Sequence, residues 1–167
     1  MQIETIDNFL EDKTFEELQQ SFFEKDFPWY YNNYVNFDNA VDENFQFIHL
    51  FYKDDEPKSR LLYMLHPILD KLDIFTILRI KANLITNTSK IKKHGFHIDI
   101  PLPDGIVTQT AILYLNTNNG YTYFEDGTRI ESVQNRLVIF PGGLQHGGTT
   151  CTDKKVRALV NFNYIGK

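Results

Sequence analysis

Cysteine is all but missing from this chain of 167 residues, where Cys151 stands alone. It closes no disulfide within the chain and cannot build a thiolate-rich zinc site, which fits a reducing compartment. No histidine or helix start adjoins it to lower its pKa, so it reads as an unreactive thiol. Long basic runs are missing too. The formal net charge is −5, the opposite of what contacts to a phosphate backbone demand, and no nucleic-acid partner is expected. No apolar stretch approaches the roughly 20 residues that span a bilayer. The start, Met1 to Asp7, lacks the basic region and apolar core of a signal peptide. Together these absences predict a soluble, cytoplasmic protein with no membrane partner. No repeat, low-complexity tract or linker divides the sequence, and its length suits one domain over residues 1–167.

What the sequence has in plenty is aromatic side chains, 14 Phe and 9 Tyr, a composition that favours strands and aromatic-lined interiors. Residues 2–6 read as a short strand. Thr14-Phe15-Glu16-Glu17 has the form of a capping box, predicting a helix over 14–25 that carries Leu18, Phe22 and Phe23. Residues 27–44 mix Pro28, Trp29, Tyr30, Tyr31 and Tyr34 with Asn and Asp, which predicts an ordered irregular loop placed to act as a lid. Its rings either line a substrate channel or cover the fold. A strand over 45–52 comes next. The acidic stretch 54–57 with its Pro marks a helix start, and Leu61, Leu62, Leu65, Leu69 and Leu72 recur at helical spacing with a break at Pro67. From Ile74 the pattern turns to short strand-like runs at 74–86, 96–100, 107–115, 121–125, 129–133, 136–140, 144–150 and 155–164. That succession predicts a sandwich or barrel-like roll of antiparallel strands over 74–164, supported by residues 1–73 with their helices on the outside.

His97-Ile98-Asp99 puts an imidazole and a carboxylate two positions apart, on one face of an extended segment. That spacing alone is common among surface residues. His146 adds a second imidazole just after the turn Pro141-Gly142-Gly143, and two His with one carboxylate is the set that leaves coordination positions open on non-haem iron(II). Arg157 lies among Val156, Ala158, Leu159 and Val160, a run apolar enough to be a core strand. An unpaired charge there is costly, whereas a planar fork of donors suits a buried carboxylate. The remaining histidines read as bystanders: His49 and His66 as satisfied structural residues in apolar segments, His94 as an exposed loop residue beside Lys90, Lys92 and Lys93, themselves a solvated hairpin tip.

Taken in order, His97-x-Asp99, Tyr114-Leu115-Asn116, Asn119-Gly120-Tyr121-Thr122-Tyr123-Phe124, Arg136-Leu137-Val138-Ile139-Phe140, His146-Gly147 and Arg157 resemble one family over roughly residues 74–164. It is the 2-oxoglutarate and iron(II)-dependent dioxygenases, and within them the prolyl-4-hydroxylase-like branch. Two positions depart from the pattern: Asn119-Gly120 replaces the usual Gly-Gly, and Asn83 stands where relatives often have Tyr. The resemblance implies a mostly β (α+β) fold, the double-stranded β-helix or jelly roll. It implies iron(II) held by His97, Asp99 and His146, and the C5 carboxylate of 2-oxoglutarate gripped by Arg157. Tyr114 would add a hydrogen bond, with Asn83 and Asn161 on the same wall. O2 is the further co-substrate and ascorbate a supporting reductant. The reaction implied is hydroxylation of an unactivated C–H bond, first of all in a prolyl residue of a peptide or protein, with release of succinate and CO2. A free amino acid or other small molecule is the alternative substrate. Because Asp99 keeps the position that halogenating relatives give to halide, hydroxylation is favoured. Rival readings from other classes, a non-catalytic metal-binding jelly roll or a metal-dependent isomerase or hydrolase, have no need of Arg157.

Overall fold

Period-two alternation of side chains in the second half of the chain builds two antiparallel sheets around a pair of hydrophobic clusters. The structure, a computed structural model, describes residues 2–35, 44–101, 103 and 105–167. Its elements are β1 (Glu4–Ile6), α1 (Asp12–Phe23), β2 (Tyr30–Asn32), β3 (Gln46–Lys53) and β4 (Glu56–Pro57), followed by a 3-10 turn (Arg60–Leu65) and the short α2 (His66–Leu69). β5 (Ile74–Thr86), β6 (Gln109–Tyr114), β7 (Tyr121–Phe124), β8 (Arg129–Glu131), β9 (Leu137–Pro141), β10 (His146–Gly148) and β11 (Val156–Gly166) complete the chain. The large sheet runs β1-β9-β6-β11-β5-β3-β2, with β4 paired to β3, and the small sheet runs β10-β7-β8. Among the described residues no helix is long and apolar enough to cross a membrane.

The large sheet is buried on both faces. Ile80 and Ala82 of β5, Ala111 and Leu113 of β6, and Ala158, Val160 and Phe162 of β11 point to one cluster, which α1 joins through Phe15, Leu18 and Phe22 and the helical turns through Leu65 and Ile68. The alternate residues Ile112, Tyr114 and Leu159 point the other way and meet Val138 and Phe140 of β9 and Phe124 of β7. A fully buried Leu, Ile or Phe contributes about 1.5–3 kcal/mol, so this two-sided burial fixes the register of β11, the strand hydrogen-bonded to both β5 and β6. On its second face β11 also carries Arg157, Asn161 and Asn163, and those are the positions that matter for chemistry.

Several expectations shift. Helix α1 starts two residues before Thr14, with Glu11 at its N-cap making no side-chain cap; Asp12 in the first turn complements the helix dipole instead. The stretch 54–57 starts no helix. Asp54 and Asp55 take φ of 56° and 58°, a pair of left-handed residues that closes a tight hairpin of β3 on β4. Pro67 sits in the first turn of α2, where the 3-10 turn ends. The expected strand at 96–100 reduces to a single bridge at His97. His66 is exposed rather than satisfied in the core, since Leu65 and Ile68 take the inward positions of that turn. His49 fits its structural reading, with Nδ1 2.8 Å from Pro28 O and Nε2 2.8 Å from Ser59 Oγ. Trp29 packs on Phe22 and Phe27, while Tyr30 and Tyr31 are exposed. The expected lid over 27–44 lies partly outside the described residues.

Candidate functional site

The strand pairing at β10 builds the site from its backbone outward. His146 lies opposite Phe124 of β7, and Phe140 packs on its ring with centroids 4.8 Å apart. A two-bond bridge ties the loop after β5 to this strand: His97 N donates to His146 O at 3.0 Å and His146 N to His97 O at 3.1 Å. The two imidazoles are thereby brought to 4.6 Å between centroids. Each Nδ1 lies beside a local carbonyl, Gly95 O at 3.3 Å for His97 and Leu144 O at 3.0 Å for His146. This leaves each Nε2 turned to Asp99, whose Oδ1 is 3.6 Å from His97 Nε2 and whose Oδ2 is 3.7 Å from His146 Nε2. One donor atom from each of the three residues falls within 4.8 Å of the others.

Asp99 is held by a network of donors. Arg79 Nη2 donates to Oδ1 at 2.8 Å, and Asn161 Nδ2 and Asn163 Nδ2 donate to Oδ2 at 2.7 and 3.0 Å. Burial pushes the carboxyl up, but His97 beside it and the charges of Arg79 and His146 outweigh that and hold it well below the usual carboxylate range. His146 is pushed down, chiefly by burial. An ionised carboxylate and a neutral imidazole are the forms that ligate metal.

Arg157 is 1% exposed. Its Nε donates to Ser132 Oγ at 2.8 Å and its Nη2 to Thr122 Oγ1 at 3.1 Å, and its guanidinium carbon lies 5.5 Å from the centre of the Tyr114 ring. Among the described residues no carboxylate lies within ion-pair reach of it. The Tyr114 hydroxyl donates to the same Thr122 Oγ1 at 2.7 Å, so it steadies the wall that holds Arg157. Asn83 lines the pocket, with one amide hydrogen given to Gln46 Oε1 at 2.6 Å. Asn161 stands two residues from Leu159 and four from Arg157, at the carboxylate of Asp99 rather than at the guanidinium. One pocket is lined by His97, Asp99, His146, Asn83, Asn161 and Arg157.

Three features were not read from the sequence. Lys81 and Arg79 line up with Asn83 on β5, opposite Asn161, Asn163 and Leu159 of β11; the alternation of these polar residues with Ile80, Ala82 and Leu84 was the available signal. Burial and the neighbouring Arg79 push the Lys81 ammonium down to about 8, against the pull of Asp99. Thr122 and Ser132, which hold Arg157, carried no sequence signal for that pairing. His94, expected to be exposed, is fully buried and lines the pocket. The bridges of Lys93 to Thr149 and His97 to His146 draw its segment against β10 and turn it inward.

No family model matches this sequence, and no curated protein matches it. Solved structures do. A viral collagen prolyl hydroxylase from Paramecium bursaria Chlorella virus-1, in complex with 2-oxoglutarate, superposes with a TM-score of 0.63 at 15% identity, covering 99% of this chain and 96% of its own. The chain has the prolyl-hydroxylase fold. A Trichoplax adhaerens prolyl hydroxylase bound to a peptide of hypoxia inducible factor gives 0.63 at 16% identity, covering 98% of this chain and 83% of that one. HygX from Streptomyces hygroscopicus, with nickel, 2-oxoglutarate and hygromycin B bound, gives 0.59 at 13%, with coverage of 99% and 83%. At such identities the likeness is one of fold, and a shared fold does not carry a shared function.

Proposed function

We propose that this protein is a 2-oxoglutarate-dependent iron(II) oxygenase that hydroxylates an unactivated C–H bond. The observation that carries this reading is Arg157, a buried guanidinium without a carboxylate partner among the described residues, in the pocket that also holds His97, Asp99 and His146. A structural metal site has no use for such a group, and an uncompensated buried charge is expensive. The donor set fits iron(II): two Nε2 atoms fixed by carbonyls at Nδ1 and one ionised carboxylate, with no fourth His, Cys, Asp or Glu in the described cluster.

Bound there with 2-oxoglutarate and O2, iron(II) supplies an oxidation in which one oxygen atom enters succinate and the other the new hydroxyl, with CO2 released and electron pairs drawn from 2-oxoglutarate and the C–H bond. Arg157 holds the far carboxylate of 2-oxoglutarate, with Thr122 and Ser132 fixing the guanidinium and Tyr114 fixing Thr122. Arg79, Asn161 and Asn163 hold Asp99 in one orientation. The resemblance alone suggests a prolyl residue as the substrate.

Purified protein with iron(II), ascorbate and 2-oxoglutarate under air should form succinate above the no-enzyme level, more so with an accepted substrate. No succinate under any condition, together with no 2-oxoglutarate binding, would overturn the reading in favour of a non-catalytic metal-binding roll.

A further inference from the structure

The pocket holds more positive charge than this reaction uses. When a metal dication, the Asp99 carboxylate, dianionic 2-oxoglutarate and the Arg79 and Arg157 guanidinium groups are counted together, the balance is already positive, and Lys81 adds to it. Lys81 is half-buried and lines the pocket beside His97, Asp99 and Asn161, yet its ammonium makes no hydrogen bond or ion pair with any described residue. Directly opposite in the register stands Asn161. Its Nδ2 is engaged by Asp99, but its Oδ1 is buried and unsatisfied. A cation and an acceptor on paired residues of one pocket lining are thus left without a described partner, and each is costly to leave unmet. Both stand at the level of Asp99, four residues along β11 from Arg157, or about 13 Å of strand. They are therefore placed beside the metal ligands rather than at the co-substrate anchor.

Resting on the oxygenase reading above, we propose that Lys81 and Asn161 Oδ1 are the substrate-recognition pair. Lys81 takes a free carboxylate and Asn161 Oδ1 takes an N–H or O–H next to it, so the substrate is a small amino or hydroxy acid. A prolyl residue inside a peptide suits the pair poorly: its nitrogen is a tertiary amide with no hydrogen for Asn161 Oδ1, and its carbonyl can accept from Lys81 but brings no charge to balance it. The carboxylate would also bring the pocket closer to neutrality.

The test uses the full chain loaded with manganese(II) and 2-oxoglutarate, so that binding is read by calorimetry without turnover. The probes are the common L-amino acids, their 2-hydroxy acid counterparts, the methyl esters of both, and an end-blocked peptide with an internal proline. At least one free acid should bind, and with iron(II) it should raise succinate formation. Its methyl ester should bind on the order of 10- to 100-fold more weakly, the size of one charge-assisted hydrogen bond. Lys81→Met should lower the acid's affinity by the same factor while leaving the ester and 2-oxoglutarate within about twofold; thermal unfolding confirms that the variant folds. The proposal is overturned if no free acid binds, if acid and ester bind alike, if the blocked peptide is preferred, or if Lys81→Met weakens 2-oxoglutarate itself. Loss of 2-oxoglutarate binding by the natural chain would remove the oxygenase reading as well, whereas retained binding with no response to acids removes this proposal alone.

Discussion

Replacing Arg157 with Met removes the charge and all five donors while keeping most of the side-chain volume, and it separates an anion anchor from a structural cation. If the guanidinium grips 2-oxoglutarate, its loss strands a carboxylate in a buried pocket. Truncating one side of a buried, hydrogen-bonded charge pair costs about 2–5 kcal/mol, or roughly 30- to 5,000-fold in affinity. Thermal unfolding of the manganese(II)-loaded protein reads this without turnover. At 2-oxoglutarate a hundred times its Kd the natural chain gains about 2.7 kcal/mol, which for a chain of this size raises Tm by roughly 5–11 °C. At the same concentration the variant should shift by no more than about 3 °C. Its own Tm without 2-oxoglutarate should change little, because the hydrogen bonds lost to Ser132 and Thr122 are offset by removal of a buried charge that has no counter-ion. A full shift in Arg157→Met would place the anchor elsewhere and remove the main support for the oxygenase reading.

His97→Ala, Asp99→Ala and His146→Ala should each abolish succinate formation and manganese(II) binding while circular dichroism stays native; full activity in any one of them removes that residue from the ligand set. Gly120→Ala should lower 2-oxoglutarate affinity and cost about 1–3 kcal/mol in urea unfolding, because a Cβ there would lie 2.7 Å from Arg157 Cδ and 2.9 Å from Thr150 O. Asn135→Ala should cost about 2–4 kcal/mol, since the side chain both accepts from Leu10 N at 2.9 Å and donates to Leu10 O at 2.8 Å from a residue at φ 59°; an unchanged urea midpoint would show that water replaces both bonds. For Lys81, folding lowers the pKa from 10.5 to about 8, so the penalty is complete below about 8 and is relieved as pH rises toward 10.5, where only the unfolded chain still holds the proton. Metal-free natural protein should therefore gain up to about 3 kcal/mol of stability across that window, and Lys81→Met should show no such rise; parallel pH profiles would show that Lys81 is solvated.

The strand core was legible because its signal is local. Alternating runs such as Gln109 to Tyr114 and Val156 to Tyr164 state which side chains face which way, and their positions were read to within a few residues. The pairing of β10 with β7, and the bridge that carries His97 to His146, were not legible, because they depend on loop closure rather than on any residue's preference. For the same reason His94 was misread: three lysines around it signal solvent, yet the backbone bridges on both sides turn it inward. The hairpin at Asp54 and Asp55 was missed because acidic residues before a Pro also open helices, and only their left-handed φ distinguishes the two. Arg157 was legible from its apolar neighbours. The residues that hold it were not, since Thr122 and Ser132 come from other segments and a hydroxyl in a strand carries no mark of its partner.

Pairing separates the roles along the polar face of β5 and β11. Arg79 and Asn163 are bonded to each other and to Asp99, so their charge and dipoles serve to orient that carboxylate, and a perturbation there should reach Asp99 first. Arg157 and Lys81 lack a carboxylate partner among the described residues, and Asn161 is satisfied at Nδ2 but not at Oδ1. A fold that needed only stability would fill these positions with the Val, Ile and Leu that occupy the opposite face of the same strands, because an unpaired buried charge or acceptor lowers stability and supports no packing. Under the proposed reading, ligands supply the missing partners, a dicarboxylate at Arg157 and a second, smaller anion at Lys81. On that reading, the four residues of β11 between Arg157 and Asn161, the partner of Lys81, would keep the two anions from competing for one place.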